Sequence, residues 1–223
     1  MRKTCLYMPR FGEYLAGGSE KSVYQDADHS DRVIKKYREN ISSPHKAVAR
    51  GYLGKLLHIL RPKNFPDVQL STPDLLVVEK KSLDPGHEMA AQMLDPHRDQ
   101  SYLEDEENED RKKILEYNAV RDDDRRIKGL KAEMDVLGIG CDSSPVNFAF
   151  DQEGVPVYVD NVEPWDTDHL EEKGVNPHFD PERLSKAIEG IEDAKQKESA
   201  RLYFERLTYL LGEEEKVVGV DNT

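Results

Sequence analysis

Apolar positions along the chain change their spacing several times, and each change marks an element. Over 11–37, apolar and polar side chains come in short alternating runs. Phe11, Tyr14 and Leu15 lead into Ala16-Gly17-Gly18-Ser19-Glu20-Lys21 and then Ser22-Val23-Tyr24; a polar turn at 26–31 precedes Arg32-Val33-Ile34-Lys35-Lys36-Tyr37. The pattern predicts a hairpin or three-stranded meander with a glycine-containing turn, in which Ser19 and Lys21 read as plain loop residues. Over 44–61 the spacing becomes helical. Val48, Tyr52, Leu56 and Ile59 trace one face, joined by Leu53, Leu57 and Leu60, with Pro44 suited to a first helical position and Ser42 or Ser43 to the cap. Pro62 and Pro66 stop this helix. Asp74-Leu75-Leu76-Val77-Val78-Glu79 reads as a buried strand, and 80–86 as the start of a linker.

Residues 87–107 carry little pattern and end in the acidic run Glu104-Asp105-Glu106-Glu107, a solvated stretch. Residues 109–137 predict one long charged helix whose inward face is Ile127, Leu130, Met134 and Leu137, ended by Gly138. Next comes the segment 138–165. Phe148-Ala149-Phe150 and the apolar run 155–159 predict two short strands joined by a tight turn at Asp151-Gln152-Glu153-Gly154. Asp142 and Asn147 stand before the first strand and Asp160 at the end of the second, so the hairpin would hold all three at one mouth. Two acidic groups and an amide converging there are what binding Mg²⁺ and orienting a hydroxyl require. Beyond Trp165 the chain is irregular to about 179, and Asp180-Pro181 signals a helix. Leu184, Ile188 and Ile191 give one face, and Leu202, Leu207, Leu210 and Leu211 another. Gly190 is a point of division, Gly212 the expected terminator, and 217–223 a loose tail.

Composition narrows what such a chain does. Its 223 residues suffice for one large domain or two small lobes, burying roughly 70% of the unfolded surface. Charged residues make up 35% and the net charge is −13, which argues against a nucleic-acid or anionic-membrane partner. A cationic substrate is compatible with that charge, although solubility explains it equally well. Cys5 and Cys141 are too few and too distant for a disulfide framework or zinc site, and the seven histidines lack metal-ligand spacing. No run approaches 18 apolar residues. A reducing, cytoplasmic setting is expected, and delivery into a host cell is compatible with the same pattern.

Four segments together resemble the protein-kinase-like superfamily, which includes eukaryotic protein kinases and bacterial aminoglycoside and choline kinases. Residues 16–23 are similar to the glycine-rich loop G-x-G-x-x-G-x-V, keeping its central Gly18 and Val23. Val33-Ile34-Lys35 resembles the strand-borne V-A-I-K. Asp142-Ser143-Ser144-Pro145-Val146-Asn147 resembles the catalytic loop D-x-x-x-x-N, and Asp160-Asn161-Val162 stands where the family has D-F-G. The resemblance implies an α+β, two-lobed fold. Residues 1–80 would form a small antiparallel sheet with one helix, and 81–223 a mostly helical lobe. It implies ATP and Mg²⁺ as cofactors and γ-phosphoryl transfer to a hydroxyl. Asp142 and Lys35 would be catalytic; Asn147 and Asp160 would bind metal; Gly17, Gly18, Val23, Val33 and Lys35 would line the nucleotide site, with Glu79 and Lys81 at the hinge.

Departures shape the expectation further. Gly140 replaces the family's histidine, Ser144 the γ-phosphate lysine of protein kinases, and Asn161 the D-F-G phenylalanine. The helix at 44–61 has no glutamate to pair with Lys35, leaving Glu39, Glu79 and Glu88 as acidic candidates. These changes and the missing A-P-E anchor favour a small-molecule acceptor over a minimal serine/threonine protein kinase. A pseudokinase that binds nucleotide without turnover is the third reading.

Overall fold

The computed structural model describes residues 8–17, 21–37, 44–93, 108–164 and 180–220. The fold is α+β. The meander predicted for 11–37 forms as β1 (Phe11–Gly17), β2 (Lys21–Asp26) and β3 (Arg32–Tyr37). With β4 (Val68–Ser71) and β5 (Leu75–Glu79) these make a five-stranded antiparallel sheet in the order β1-β2-β3-β5-β4. The four-residue β4 escaped the sequence reading because its single apolar alternation, Val68 and Leu70, is too short to register a period.

Helix α1 (Pro44–Leu60) crosses from the sheet to the helical part of the molecule. It buries Ala47, Ala49, Arg50, Gly51, Leu53, Leu56 and Leu57, whereas Val48, expected on the inward face, is exposed. The inward face is rotated because small residues let the helix lie close to β4: a Cβ on Gly54 would collide with Val68. Residues 85–93, which lack a clear pattern, form helix α2 (Pro85–Met93). The single helix expected over 109–137 is two, α3 (Glu109–Asp123) and α4 (Arg125–Val136). Asp124 divides them. Its extended backbone (φ −66°, ψ 123°) closes α3, and its carboxylate accepts the Arg126 amide at 2.8 Å as the cap of α4.

After α4, Gly138 adopts φ +71°, a left-handed conformation that favours glycine. A short 3₁₀ turn at Pro145–Asn147 leads into β6 (Phe148–Phe150) and β7 (Pro156–Tyr158), an antiparallel pair closed by the acidic turn. Asp180 then caps α5 (Pro181–Glu189), and after Gly190 the chain continues as α6 (Ala194–Val220). Gly212 does not terminate α6, which runs to Val220 across the expected tail; a lone glycine costs a helix only about 1 kcal/mol.

One core joins α1 to the hairpin and to α4, α5 and α6. Leu53, Leu56, Leu57, Ile127, Met134, Phe148, Tyr158, Leu184 and Leu207 meet there, all almost wholly buried. A smaller cluster of Tyr37, Val68, Leu76 and Val78 lies on the sheet. The hairpin is anchored from its other side by a polar cluster. Arg121 of α3, 6% exposed, grips both Asp84 oxygens at 2.8 and 2.9 Å, donates to the Phe148 carbonyl at 3.2 Å and stacks on Tyr117. Asp84 also accepts the amides of Phe150 and His87 at 2.9 and 3.0 Å. No helix among the described residues is long and apolar enough to cross a membrane.

Candidate functional site

Strand pairing places Lys21 opposite Tyr37 and Val23 opposite Lys35. Side-chain alternation therefore puts Lys21, Val23, Val33, Lys35 and Tyr37 on one face of the sheet, with Ile34 and Lys36 on the other. That face meets the chain leaving β7. Lys35, only 7% exposed, donates to the Val159 carbonyl at 2.6 Å and to Asn161 Oδ1 at 3.1 Å. The Asn161 amide nitrogen donates in turn to the Tyr37 hydroxyl. Asn161 thus links the buried lysine to Tyr37.

Burial pushes the Lys35 ammonium down to about 7; Lys21 adds to this and Asp160 opposes it. Burial would raise the Asp160 carboxyl, but Lys21 and then Lys35 outweigh it and hold it below its ordinary value. Lys21 ion-pairs directly with Asp160 Oδ1. It is therefore not a loop residue: it opens β2 and spans 139 positions of sequence to reach the end of the hairpin. Behind the pair, Arg50 of α1 is 2% exposed. It donates to Ser71 Oγ at 3.1 Å and the Thr72 carbonyl at 2.7 Å, reaches Glu163 at 3.5 Å and lies over the Tyr37 ring. Burial raises Glu163 against the pull of Arg50, and its second oxygen has no hydrogen-bond partner among the described residues. The acidic groups that act on Lys35 are thus Asp160 and Glu163. Glu79 pairs instead with Lys81, Glu39 lies outside the described residues, and so does the Glu88 side chain.

The other predicted residues fall around this centre. Asp142 is exposed, and its carboxylate accepts the Ser144 amide at 2.9 Å, the local turn bond an aspartate readily makes. Asn147 directs its amide nitrogen at the Asp142 carbonyl at 3.4 Å, leaving Oδ1 as its acceptor atom, and its own carbonyl accepts the Val159 amide at 2.9 Å. That last bond ties the loop 142–147 to the residue preceding Asp160. The Asp142 backbone also lies on the Tyr158 hydroxyl, whose proton burial holds tightly. Gly17 ends β1 opposite Ser22, and Gly18 lies outside the described residues. Val33 packs beside the small sheet cluster. At the expected hinge, Glu79 and Lys80 donate their backbone amides to the Asp67 and Asp31 carbonyls at 2.8 Å each, and Lys81 Nζ reaches the Pro62 carbonyl at 3.3 Å. Between α1 and the sheet, Lys35, Arg50, Asp160 and Asn161 border a cavity of about 40 Å³, far below the roughly 300–1,000 Å³ of a small-molecule site.

No protein-family model matches the chain, and no curated protein matches it significantly. Three residues of the cluster, Lys21, Arg50 and Glu163, were missed by sequence reasoning, and the first two had a signal. Lys21 occupies the third glycine position of the loop pattern and shares strand alternation with Val23. Arg50 lies three and seven positions before Leu53 and Leu57, on the buried stripe of α1. Glu163 has no comparable signal. Among the described residues, no group of three or more His, Cys, Asp or Glu side chains is arranged to hold a metal.

Proposed function

We propose that this chain is a two-lobed, kinase-like phosphotransferase that binds ATP with Mg²⁺ between the sheet and the β6–β7 hairpin. It moves the γ-phosphoryl group to a hydroxyl. The observation that carries the reading is the convergence of a buried β3 lysine, Lys35, with the segment bearing Asp160, while the Asp142–Asn147 loop is hydrogen-bonded to that same segment. Phosphoryl transfer asks a protein for positioning and charge neutralisation, and these residues supply both.

In this reading Lys35 places a point charge on the α- and β-phosphates, and Gly17 and Gly18, having no Cβ, would admit the phosphates closely. Asp142, exposed at the mouth, orients the acceptor hydroxyl. The Asp160 carboxylate and the Asn147 amide oxygen are the hard oxygen donors that Mg²⁺ takes, and the ion would neutralise phosphate charge. Ser144, in place of a γ-phosphate lysine, favours a small-molecule acceptor. The reading implies a cytoplasmic setting, where ATP is supplied.

The pairing of Lys21 with Asp160 favours a second reading, nucleotide binding without turnover, because it occupies one carboxylate oxygen meant for the metal. One experiment separates the two. Saturating ATP and Mg²⁺ should raise the melting temperature, as ligand linkage requires. Labelled ATP offered to a panel of amino-alcohols and proteins should then give product that Asp142→Ala loses while keeping the thermal shift. A shift without product in the native protein favours the second reading; no shift removes both.

A further inference from the structure

Two ammonium groups from adjacent strands meet the segment 159–161, and one of them takes its carboxylate. Lys21 of β2 takes Asp160, so the acid expected to neutralise Lys35 is already engaged. Lys35 rests on two neutral oxygens, those of Val159 and Asn161, and makes no ion pair among the described residues. Arg50 adds a third positive charge behind them, committed to Ser71, Thr72 and Glu163. Three cations face two acids, Asp160 and Glu163, in a mostly buried setting. An excess of positive charge with little access to water is stabilised by an anion able to accept from several donors at once.

Lys21 differs from its neighbours in how it is held. Lys35 and Arg50 are 7% and 2% exposed and bound by several partners, whereas the Lys21 side chain is 18% exposed and tied through Asp160. It stands at the first residue of β2, four positions after Gly17 ends β1. A lysine carries a rotatable donor on a flexible four-carbon stem, so it can exchange one oxygen for another without moving the strand. Its partner Asp160 also borders the cavity of about 40 Å³ that Lys35 and Arg50 line.

We propose that Lys21 is a second phosphate-contacting lysine of this cleft, held on Asp160 in the ligand-free protein and transferred to a nucleoside triphosphate when one binds. The transfer releases Asp160 as the phosphates arrive, so one side chain both closes the empty site and grips the filled one. This inference rests on the nucleotide reading above and deepens it.

The test is binding of ATP and of inorganic triphosphate, each with and without Mg²⁺, by isothermal titration calorimetry on the full chain. Lys21→Gln should weaken both ligands about tenfold to a hundredfold, the worth of one charge-assisted contact, while Lys21→Arg recovers most of the loss. Asp160→Asn, which removes the partner Lys21 must leave, should tighten metal-free triphosphate, and adding Lys21→Gln to it should cancel that gain. This second pair keeps the test decisive if Lys21→Gln alone folds poorly. Native protein that binds ATP while Lys21→Gln binds it equally or more tightly overturns the Lys21 role and leaves the nucleotide site standing. Native protein that binds neither ligand overturns the nucleotide reading, and the Lys21 role with it.

Discussion

Two polar clusters grip the same hairpin from opposite sides, and their chemistry is opposite. At the β6 side, Asp84 and Arg121 are matched: one guanidinium nitrogen bridges both carboxylate oxygens, and the backbone amides of Phe150 and His87 also donate to that carboxylate. At the β7 side, Lys21 takes the one aspartate, Lys35 rests on neutral oxygens, and a glutamate oxygen is left without a partner among the described residues. A cluster that closes its own hydrogen-bond account holds structure. A cluster left with surplus charge holds a place for something else.

Removing one member of the matched pair should have the largest effect. Asp84→Ala strands a buried guanidinium and should lower unfolding stability by about 3–5 kcal/mol, read from urea unfolding. A loss below about 1 kcal/mol would erase the distinction between the clusters.

The next effect is a pH dependence at the matched side. Burial holds the His87 imidazole, which lies 3.1 Å from the Tyr117 hydroxyl, down to about 4; Asp84 opposes this and Arg121 adds to it. Above pH 6.5 the ring is neutral in folded and unfolded chains alike. Between 6.5 and 4 the unfolded chain takes up a proton that the folded one refuses. Stability is therefore full above that window and falls through it, by on the order of 3 kcal/mol. Asp84, held below its ordinary 3.8, weakens only at lower pH. His87→Gln should flatten the slope between pH 7 and 4.5; an unchanged slope would mean that the ring is hydrated.

The smallest effect on stability is expected at the unmatched cluster. Lys35→Met removes an ammonium that burial already disfavours, so the urea midpoint should move by less than about 1 kcal/mol, or rise. The same variant should lose the ATP-induced thermal shift altogether. Marked destabilisation with the shift intact would make Lys35 a structural residue and invert the comparison.

The sheet, the hairpin and the core helices were legible because each repeats a period over several residues, as Ile127, Leu130 and Met134 do. Asp124 was not, because a polar residue inside a charged helical run looks like its neighbours until its carboxylate is seen capping the next helix. The candidate site was half legible. Lys35 stands out by the V-I-K pattern of its strand and Asp160 by its place just beyond the second apolar run of the hairpin. The pairing of Lys21 with Asp160, and of Arg50 with Glu163, depends on how α1 and the sheet approach the hairpin, a distance relation that one-dimensional spacing does not carry. The Asp84–Arg121 cluster was hidden for the same reason, inside what looked like a linker.

Gly138 has a consequence beyond ending a helix. Its carbonyl accepts the Asp180 amide at 2.7 Å, and a side chain there would strike Asp180. Everything from Ile139 to the start of α5 is thus an excursion whose two feet are pinned together. Loop-closure cost grows only with the logarithm of length. The Gly138–Asp180 contact therefore fixes where the hairpin segment leaves α4 and where α5 begins, independently of the length of chain between Asp160 and Asp180, provided that the glycine at the neck is retained.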